Sequence, residues 1–255
     1  DARVYDQGMI TVLEVMGRNA GWLTASSALA TYAGFGPDLI YLPEIPFDLD
    51  RFILEVSDLY RKQNKVIIAV SEGIRDKDGR YISEYSADLS KNKDSFGHVQ
   101  LGGLAATLVE ILKEKTGAKI RGIEFSLLQR CAAHLGSLTD VNEAVLAGQM
   151  AVRYAVEGKT DYMVAFERAA GAEYKCNIKL VALEEVANKE KKVPREWINE
   201  AGNGLKKQFI DYALPLIQGV SAPPLENSLP RFAKLKKVLA PHPNVNKEPV
   251  SIFAK

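Results

Sequence analysis

Apolar and polar residues alternate in blocks of two kinds along the first 166 positions. Short runs of aliphatic and β-branched residues are typical of buried strands and predict strands at residues 10–14, 38–43, 65–71, 119–125 and 161–166. Longer stretches with apolar residues at helical spacing predict helices at residues 19–32, 48–63, 102–115 and 140–157. This alternation of strands and helices predicts a doubly wound, mostly parallel α/β sheet.

The remainder of the chain has a different pattern. Residues 184–197 are charged and biased towards helix, and the chain beyond Gly202 is rich in proline. We therefore expect an α/β domain over residues 1–125 and a helical, Pro-rich C-terminal extension over residues 184–255.

The first predicted strand is followed by a turn that has the features of an anion-binding site. Residues 10–22 read ITVLEVMGRNAGW, a strand, a turn with Gly17 and the start of a helix. Free N–H groups at a helix N-terminus attract anions, and Arg18 adds a guanidinium there. The turn is either a binding site for a phosphorylated ligand or an ordinary βα turn with a surface arginine. Because parallel α/β sheets bind ligands beyond the carboxyl ends of their strands, Arg18, Glu72 and Arg130 are predicted to share one rim.

Composition narrows the class of protein. Lys and Arg total 33 against 32 Asp and Glu, a formal net charge of +1, so no nucleic-acid or membrane partner is expected. Cys131 and Cys176 lack CxxC spacing, which favours a reducing, cytoplasmic location over a disulfide framework or zinc site. No apolar run approaches the ~20 residues that a membrane-spanning helix needs.

Several motifs resemble those of the phosphofructokinases. EVMGRNAGWL at residues 14–23 is similar to the MGR signature of that family, and YLPE (41–44), SEG (71–73) and LLQR (127–130) follow at similar spacings. FIDYALPLIQG at residues 209–219 resembles the longer, mostly diphosphate-using branch. The resemblance covers nearly the whole chain and implies a phosphofructokinase-like α/β sheet, here incomplete.

The resemblance implies contacts with a sugar phosphate. In the family, the MGR residues contact fructose 6-phosphate, a role that carries over to Met16, Gly17 and Arg18. The glutamate after the third strand accepts sugar hydroxyls, a role that carries over to Glu72.

Two further arginines complete the implied site. The QR arginine of the family binds the 6-phosphate and corresponds to Arg130. An arginine nine positions earlier reaches the active site of a neighbouring subunit and corresponds to Arg121, which implies a homo-oligomer. Guanidinium groups suit this role because they bind phosphate oxygens in bidentate fashion. Leu127 and Met9 stand where the family often has a His or Tyr and a second intersubunit arginine, so those two contacts are not carried over.

Motifs for the phosphoryl donor are absent from the 255 residues. The family's glycine-rich donor loop, its GGD motif with a magnesium-binding aspartate and its TIDND-like segment with the general base have no counterpart in the sequence. The resemblance therefore implies a C-terminal portion without a catalytic base or a metal site. Residues 126–183 are expected to pack on the absent N-terminal domain. Uncovered apolar surface is expected to cause self-association or a rearranged segment near residues 126–166.

The expected reaction of the complete enzyme is phosphorylation of fructose 6-phosphate at C1 to fructose 1,6-bisphosphate, with Mg²⁺ as cofactor. Diphosphate is the preferred donor and ATP the alternative. The chain alone is expected to bind sugar phosphate without turnover, because phosphoryl transfer needs the donor, the metal and the base together. A non-catalytic sugar-phosphate-binding or regulatory module is the second hypothesis.

Overall fold

The centre of the fold is a four-stranded parallel sheet in the order β2-β3-β1-β4. The computed structural model describes residues 7–85, 103–171, 173–234, 236 and 238. The strands of the sheet are β1 (Met9–Val15), β2 (Leu39–Tyr41), β3 (Lys65–Ser71) and β4 (Ile120–Glu124). β1 lies between β3 and β4 and is buried along almost its whole length, as expected for a parallel strand covered on both faces.

One face of the sheet packs against two long helices, α3 (Leu49–Gln63) and α4 (Leu104–Thr116). Side chains of Phe52 and Leu108 from these helices join alternate strand residues in one apolar cluster. The Asp48 side chain caps α3 by accepting a hydrogen bond from the Arg51 N–H at 3.0 Å. The helices predicted at residues 48–63 and 102–115 are therefore present with nearly the predicted bounds.

The other face is covered by α1 (Trp22–Ser26), α2 (Ala28–Tyr32) and α7 (Lys207–Ala213). The single helix predicted over residues 19–32 is thus two short ones. The Ser27 hydroxyl donates to the Thr24 carbonyl at 2.6 Å, and such side-chain bonds compete with a regular helix. Because helices cover both faces, the predicted doubly wound parallel α/β fold is confirmed.

Four aromatic rings connect α1 to residues 197–212. Trp22, Trp197, Phe209 and Tyr212 have ring centroids between 5.1 and 6.4 Å apart. Such contacts stabilise a core beyond the area they bury. Residues 197–212 therefore contribute to the apolar core on this face of the sheet.

After β4 the chain forms a separate pair of strands. The 3₁₀ turn Ser126–Arg130 is followed by α5 (Leu138–Val156), and then by β5 (Tyr162–Arg168) and β6 (Cys176–Ala182), which pair antiparallel. The prediction that residues 161–166 extend the parallel sheet is wrong. A strand pairs antiparallel with its sequence neighbour through a short connection, whereas parallel pairing needs a longer crossover.

α5 carries many exposed apolar side chains. None of its 19 residues is buried, and Val145 and Val152 are 55% and 66% exposed. This surface agrees with the exposed apolar area expected near residues 126–166, whereas self-association stays a prediction.

The remaining elements are short. Residues 184–197, predicted to be helical in bias, contain most of α6 (Leu183–Val186) and the whole 3₁₀ turn Arg195–Trp197, with Pro194 between them. Three further 3₁₀ turns in the described residues are Ile82–Tyr85, Ala133–Leu135 and Leu214–Ile217.

Residues 1–221 form one compact unit and residues 222–255 a second. In the second unit, β7 (Leu225–Glu226) pairs antiparallel with β8 (Leu229–Pro230). In the described part of the chain, no helix has the length and hydrophobicity required to cross a bilayer.

Candidate functional site

The carboxyl ends of three neighbouring strands surround the turn after β1. The Glu72 N–H, just beyond β3, donates to the Val15 carbonyl at 3.0 Å. The Phe125 N–H, just beyond β4, donates to the Glu14 carbonyl at 3.1 Å. The turn at residues 16–18 is therefore flanked on both sides, in the position where parallel α/β sheets bind ligands.

Two side chains from the flanking segments bind the backbone of this turn. The Gly17 N–H donates to Glu72 Oε1 at 3.1 Å, and the Met16 N–H donates to Gln129 Oε1 at 2.8 Å. The Ser71 hydroxyl donates to the Gly17 carbonyl. The structure thus brings Met16, Gly17 and Glu72 together and adds Gln129, which the sequence analysis quoted only as part of the LLQR run.

Two glycines allow this close packing. Gly17 has φ +149°, in the region that favours glycine, and a side chain there would meet the Ala20 carbonyl oxygen at 2.8 Å. A Cβ on Gly73 would lie 1.9 Å from the Arg18 carbonyl oxygen. The segment after β3 therefore contacts the turn backbone directly.

The predicted arginines occupy three different positions. Arg130 follows Gln129 at the end of its 3₁₀ turn and is exposed. Arg121 lies within β4, opposite Thr11 of β1, rather than at the carboxyl end of the strand. Arg18 lines a polar cavity of about 300 Å³, and neither Glu72 nor Arg130 is among the residues that line that cavity.

A protein carboxylate binds one N–H group at the helix N-terminus where an anion site was predicted. Glu44 Oε1 accepts hydrogen bonds from the N–H groups of Gly21 and Val193, each at 2.9 Å. A carboxylate is favourable there because the positive end of the helix dipole attracts negative charge. Glu44 has a structural role, and the Gly21 N–H is not available for a phosphate.

Glu14 is a buried acid next to the turn, and the sequence analysis missed it. It is 5% exposed, and Oε2 accepts a hydrogen bond from the Ala105 N–H at 2.8 Å. Burial raises the pKa of Glu14 to about 7, the Ala105 bond opposes this rise, and the nearby Glu124 and Glu72 carboxylates add to it. The one signal in the sequence is a single acid inside the apolar run ITVLEV.

The described residues contain no group of three or more His, Cys, Asp or Glu side chains placed to hold a metal ion. Cys131 and Cys176 are both free thiols.

A parallel sheet with peptide groups, a carboxylate and two arginines near its carboxyl edge defines an α/β protein with a candidate site for a polar ligand. The family model described as Phosphofructokinase matches residues 4–123. Residues 4–123 belong to the phosphofructokinase family, and similarity to the relatives below extends along the rest of the chain.

Curated relatives and solved structures support this assignment. The chain is 42% identical to a pyrophosphate–fructose 6-phosphate 1-phosphotransferase of Halomonas elongata, over 89% of this chain and 54% of that protein. It is 39% identical to one of Methylococcus capsulatus, over 91% and 54%. A crystal structure of a pyrophosphate-dependent phosphofructokinase from Nitrosospira multiformis superposes with a TM-score of 0.78 at 34% identity, over 93% of this chain and 55% of that one. The chain spans about half the length of the curated relatives it matches.

Proposed function

We propose that the chain supplies the sugar-phosphate side of a diphosphate-dependent phosphotransferase that acts on fructose 6-phosphate. The observation that carries the proposal is the set of hydrogen bonds that joins Met16 and Gly17 to Glu72 and Gln129 at the carboxyl edge of the sheet. The names of the relatives from Halomonas elongata and Methylococcus capsulatus support the same substrates.

The side chains around the turn suit a phosphorylated sugar. The Glu72 carboxylate, oriented by the Gly17 N–H, accepts hydrogen bonds from sugar hydroxyls. Arg130, exposed beside Gln129, binds the 6-phosphate, which carries about −1.5 to −2 charges near neutral pH. A guanidinium fork matches two phosphate oxygens at once, so arginine orients the sugar as well as attracting it.

The proposed reaction transfers a phosphoryl group from diphosphate to the C1 hydroxyl of fructose 6-phosphate and gives fructose 1,6-bisphosphate. ATP is the alternative donor. Mg²⁺, when bound, would neutralise charge on the donor phosphates. Among the described residues, no group of three or more His, Cys, Asp or Glu side chains is placed to bind a metal ion, and we assign no Mg²⁺ ligand to them. Since the donor motifs are absent from these 255 residues, the chain alone binds sugar phosphate without turnover.

The proposal includes a homo-oligomer and a cytoplasmic location. In this proposal Arg121 reaches the active site of a neighbouring subunit, and its exposure on the edge strand β4 supports that role. The free thiols of Cys131 and Cys176 fit a reducing compartment.

Calorimetric titration with fructose 6-phosphate tests the proposed site. Replacing Arg130 with alanine should weaken binding by about 10- to 100-fold, as expected for loss of a charged hydrogen-bonding partner. Arg130→Lys should recover only part of the affinity, because an ammonium group lacks the planar fork. Arg153→Ala, on an exposed arginine of α5, is the matched control and should change nothing.

Three outcomes would contradict the proposal. Equal affinity of the wild type and Arg130→Ala would remove the assigned 6-phosphate contact, and equal binding of fructose without phosphate would remove the phosphate requirement. Turnover by this chain with Mg²⁺ and either donor would contradict the proposed lack of activity.

A further inference from the structure

A polar cavity lies beside the turn after β1, next to the proposed sugar-phosphate rim. It measures about 300 Å³ and brings together residues from four parts of the chain, namely Arg18, Asn19, Pro43, Arg75, Glu190 and Lys192. Three cationic side chains therefore face one carboxylate, and an amide is the remaining polar side chain. Arg18 is the one residue that this cavity shares with the predicted fructose 6-phosphate contacts.

Neutral groups orient Arg75 in this cavity. Its guanidinium lies 4.1 Å from the centre of the Tyr81 ring and donates hydrogen bonds to the Tyr81 hydroxyl and to Asn19 Oδ1, the latter at 3.3 Å. These contacts hold the side chain without neutralising its charge. Arg75 therefore presents a full positive charge at a defined position.

The segment that carries Lys192 is held by the backbone on both sides of this residue. The Trp22 indole N–H donates to the Lys191 carbonyl at 2.6 Å, and the Val193 N–H donates to Glu44 Oε1 at 2.9 Å. Lys192 lies between these two anchors, more than one hundred residues from Arg18 in sequence. Folding thus fixes a third cation beside two arginines.

The three cationic side chains outnumber the one carboxylate that lines the cavity, so an anion that enters reduces the repulsion between like charges. A cavity of about 300 Å³ is at the lower end of the range for small-molecule sites, which suits a small anion. We propose that the cavity is a second oxyanion site, which binds inorganic phosphate, diphosphate or the phosphoryl group of a phosphate ester. The proposal does not depend on Glu72 or Arg130.

Calorimetric titration of the whole chain with inorganic phosphate and with diphosphate, at low ionic strength, tests this site. Lys192→Gln should weaken binding of both anions by about three- to tenfold, the loss expected for one partly solvated cationic contact. Asn19→Asp, which places a carboxylate in the cavity at nearly constant volume, should also weaken it. Lys191→Gln, at a residue whose side chain does not line the cavity, is the matched control and should bind as the wild type does.

Diphosphate affinity that is unchanged in both Lys192→Gln and Asn19→Asp would overturn the proposal, as would a wild type that binds neither anion. Titration with fructose 6-phosphate separates the two sites. If Arg130→Ala abolishes binding of the sugar phosphate and leaves diphosphate binding intact, both sites stand. If Lys192→Gln alone weakens the sugar phosphate, the oxyanion site stands and the proposed function fails.

Discussion

Replacing Glu14 with glutamine separates the charge of this buried side chain from its shape. Glu14 is 5% exposed, and its pKa is about 7, against 4.5 for an unperturbed glutamate. At about 1.4 kcal/mol for each pKa unit, the difference corresponds to about 3 kcal/mol between the charged and neutral forms in the folded protein. Burial is the largest cause, so the energy belongs mainly to the desolvated carboxylate.

The sign of the effect follows from proton binding. Between about pH 4.5 and pH 7 the folded chain holds the Glu14 proton more tightly than the unfolded chain does. The contribution of Glu14 to the free energy of unfolding is therefore fully present below pH 4.5 and is lost as the pH rises through about 7. Glutamine does not titrate and keeps an oxygen that accepts from the Ala105 N–H. The stability of Glu14→Gln relative to wild type should therefore rise by about 3 kcal/mol between acidic and mildly alkaline pH.

Urea unfolding of both proteins across pH 4 to pH 8 measures this relative stability. The comparison across pH is informative even if the amide itself costs some stability, because that cost is the same at every pH. Glu124→Gln is a useful second variant, since loss of a neighbouring like charge should lower the pKa of Glu14 and move the transition to lower pH. Parallel stability profiles for wild type and Glu14→Gln would refute the assignment of a raised pKa to Glu14.

Two other changes test the packing of the site and the surface. Gly73→Ala should lower the free energy of unfolding by about 1–3 kcal/mol and weaken fructose 6-phosphate binding, because the new methyl group meets the Arg18 carbonyl. Gly148→Ala, with open space around it on α5, is the control and should be neutral or stabilising, and urea unfolding with titration checks both. Val145→Lys on the exposed face of α5 should reduce self-association in sedimentation velocity without lowering the thermal midpoint. A monodisperse wild-type monomer would contradict this last prediction.

Local sequence patterns predicted the strands of the parallel sheet and the helices α3 and α4. The run KVIIAVS is a strand over the predicted residues 65–71, because its five consecutive apolar positions, Val66 to Val70, suit a buried parallel strand. α3 follows its capping residue, Asp48, and is closed by Asn64 in the left-handed conformation, close to the predicted bounds 48–63. Both elements have sequence signals that lie within a few residues of each other, although β3 is completed by pairing with β1 and β2.

Predictions failed where pairing or competition between distant segments decided the result. Residues 161–166 have strand character, but the sequence did not reveal that β6 would be their partner. At the start of α1, the sequence did not reveal that the Gly21 N–H would donate to the Glu44 carboxylate, and phosphate binding at the turn of residues 16–18 stays a prediction. In both places the partner comes from another segment of the chain, which local patterns do not identify.

By itself, the sequence determined the parallel α/β class, the turn at Met16–Gly17–Arg18 and the types of residue available to grip a phosphate, because these follow from periodicity and from side-chain chemistry. Only the tertiary structure decided which of those side chains meet. It joined Glu72 and Gln129 to the turn through hydrogen bonds, and it placed Arg18 with Arg75 and Lys192 in a separate cavity. The physical reason is that charge and hydrogen-bonding capacity belong to each residue, whereas the distances that turn them into a site depend on how the whole chain packs.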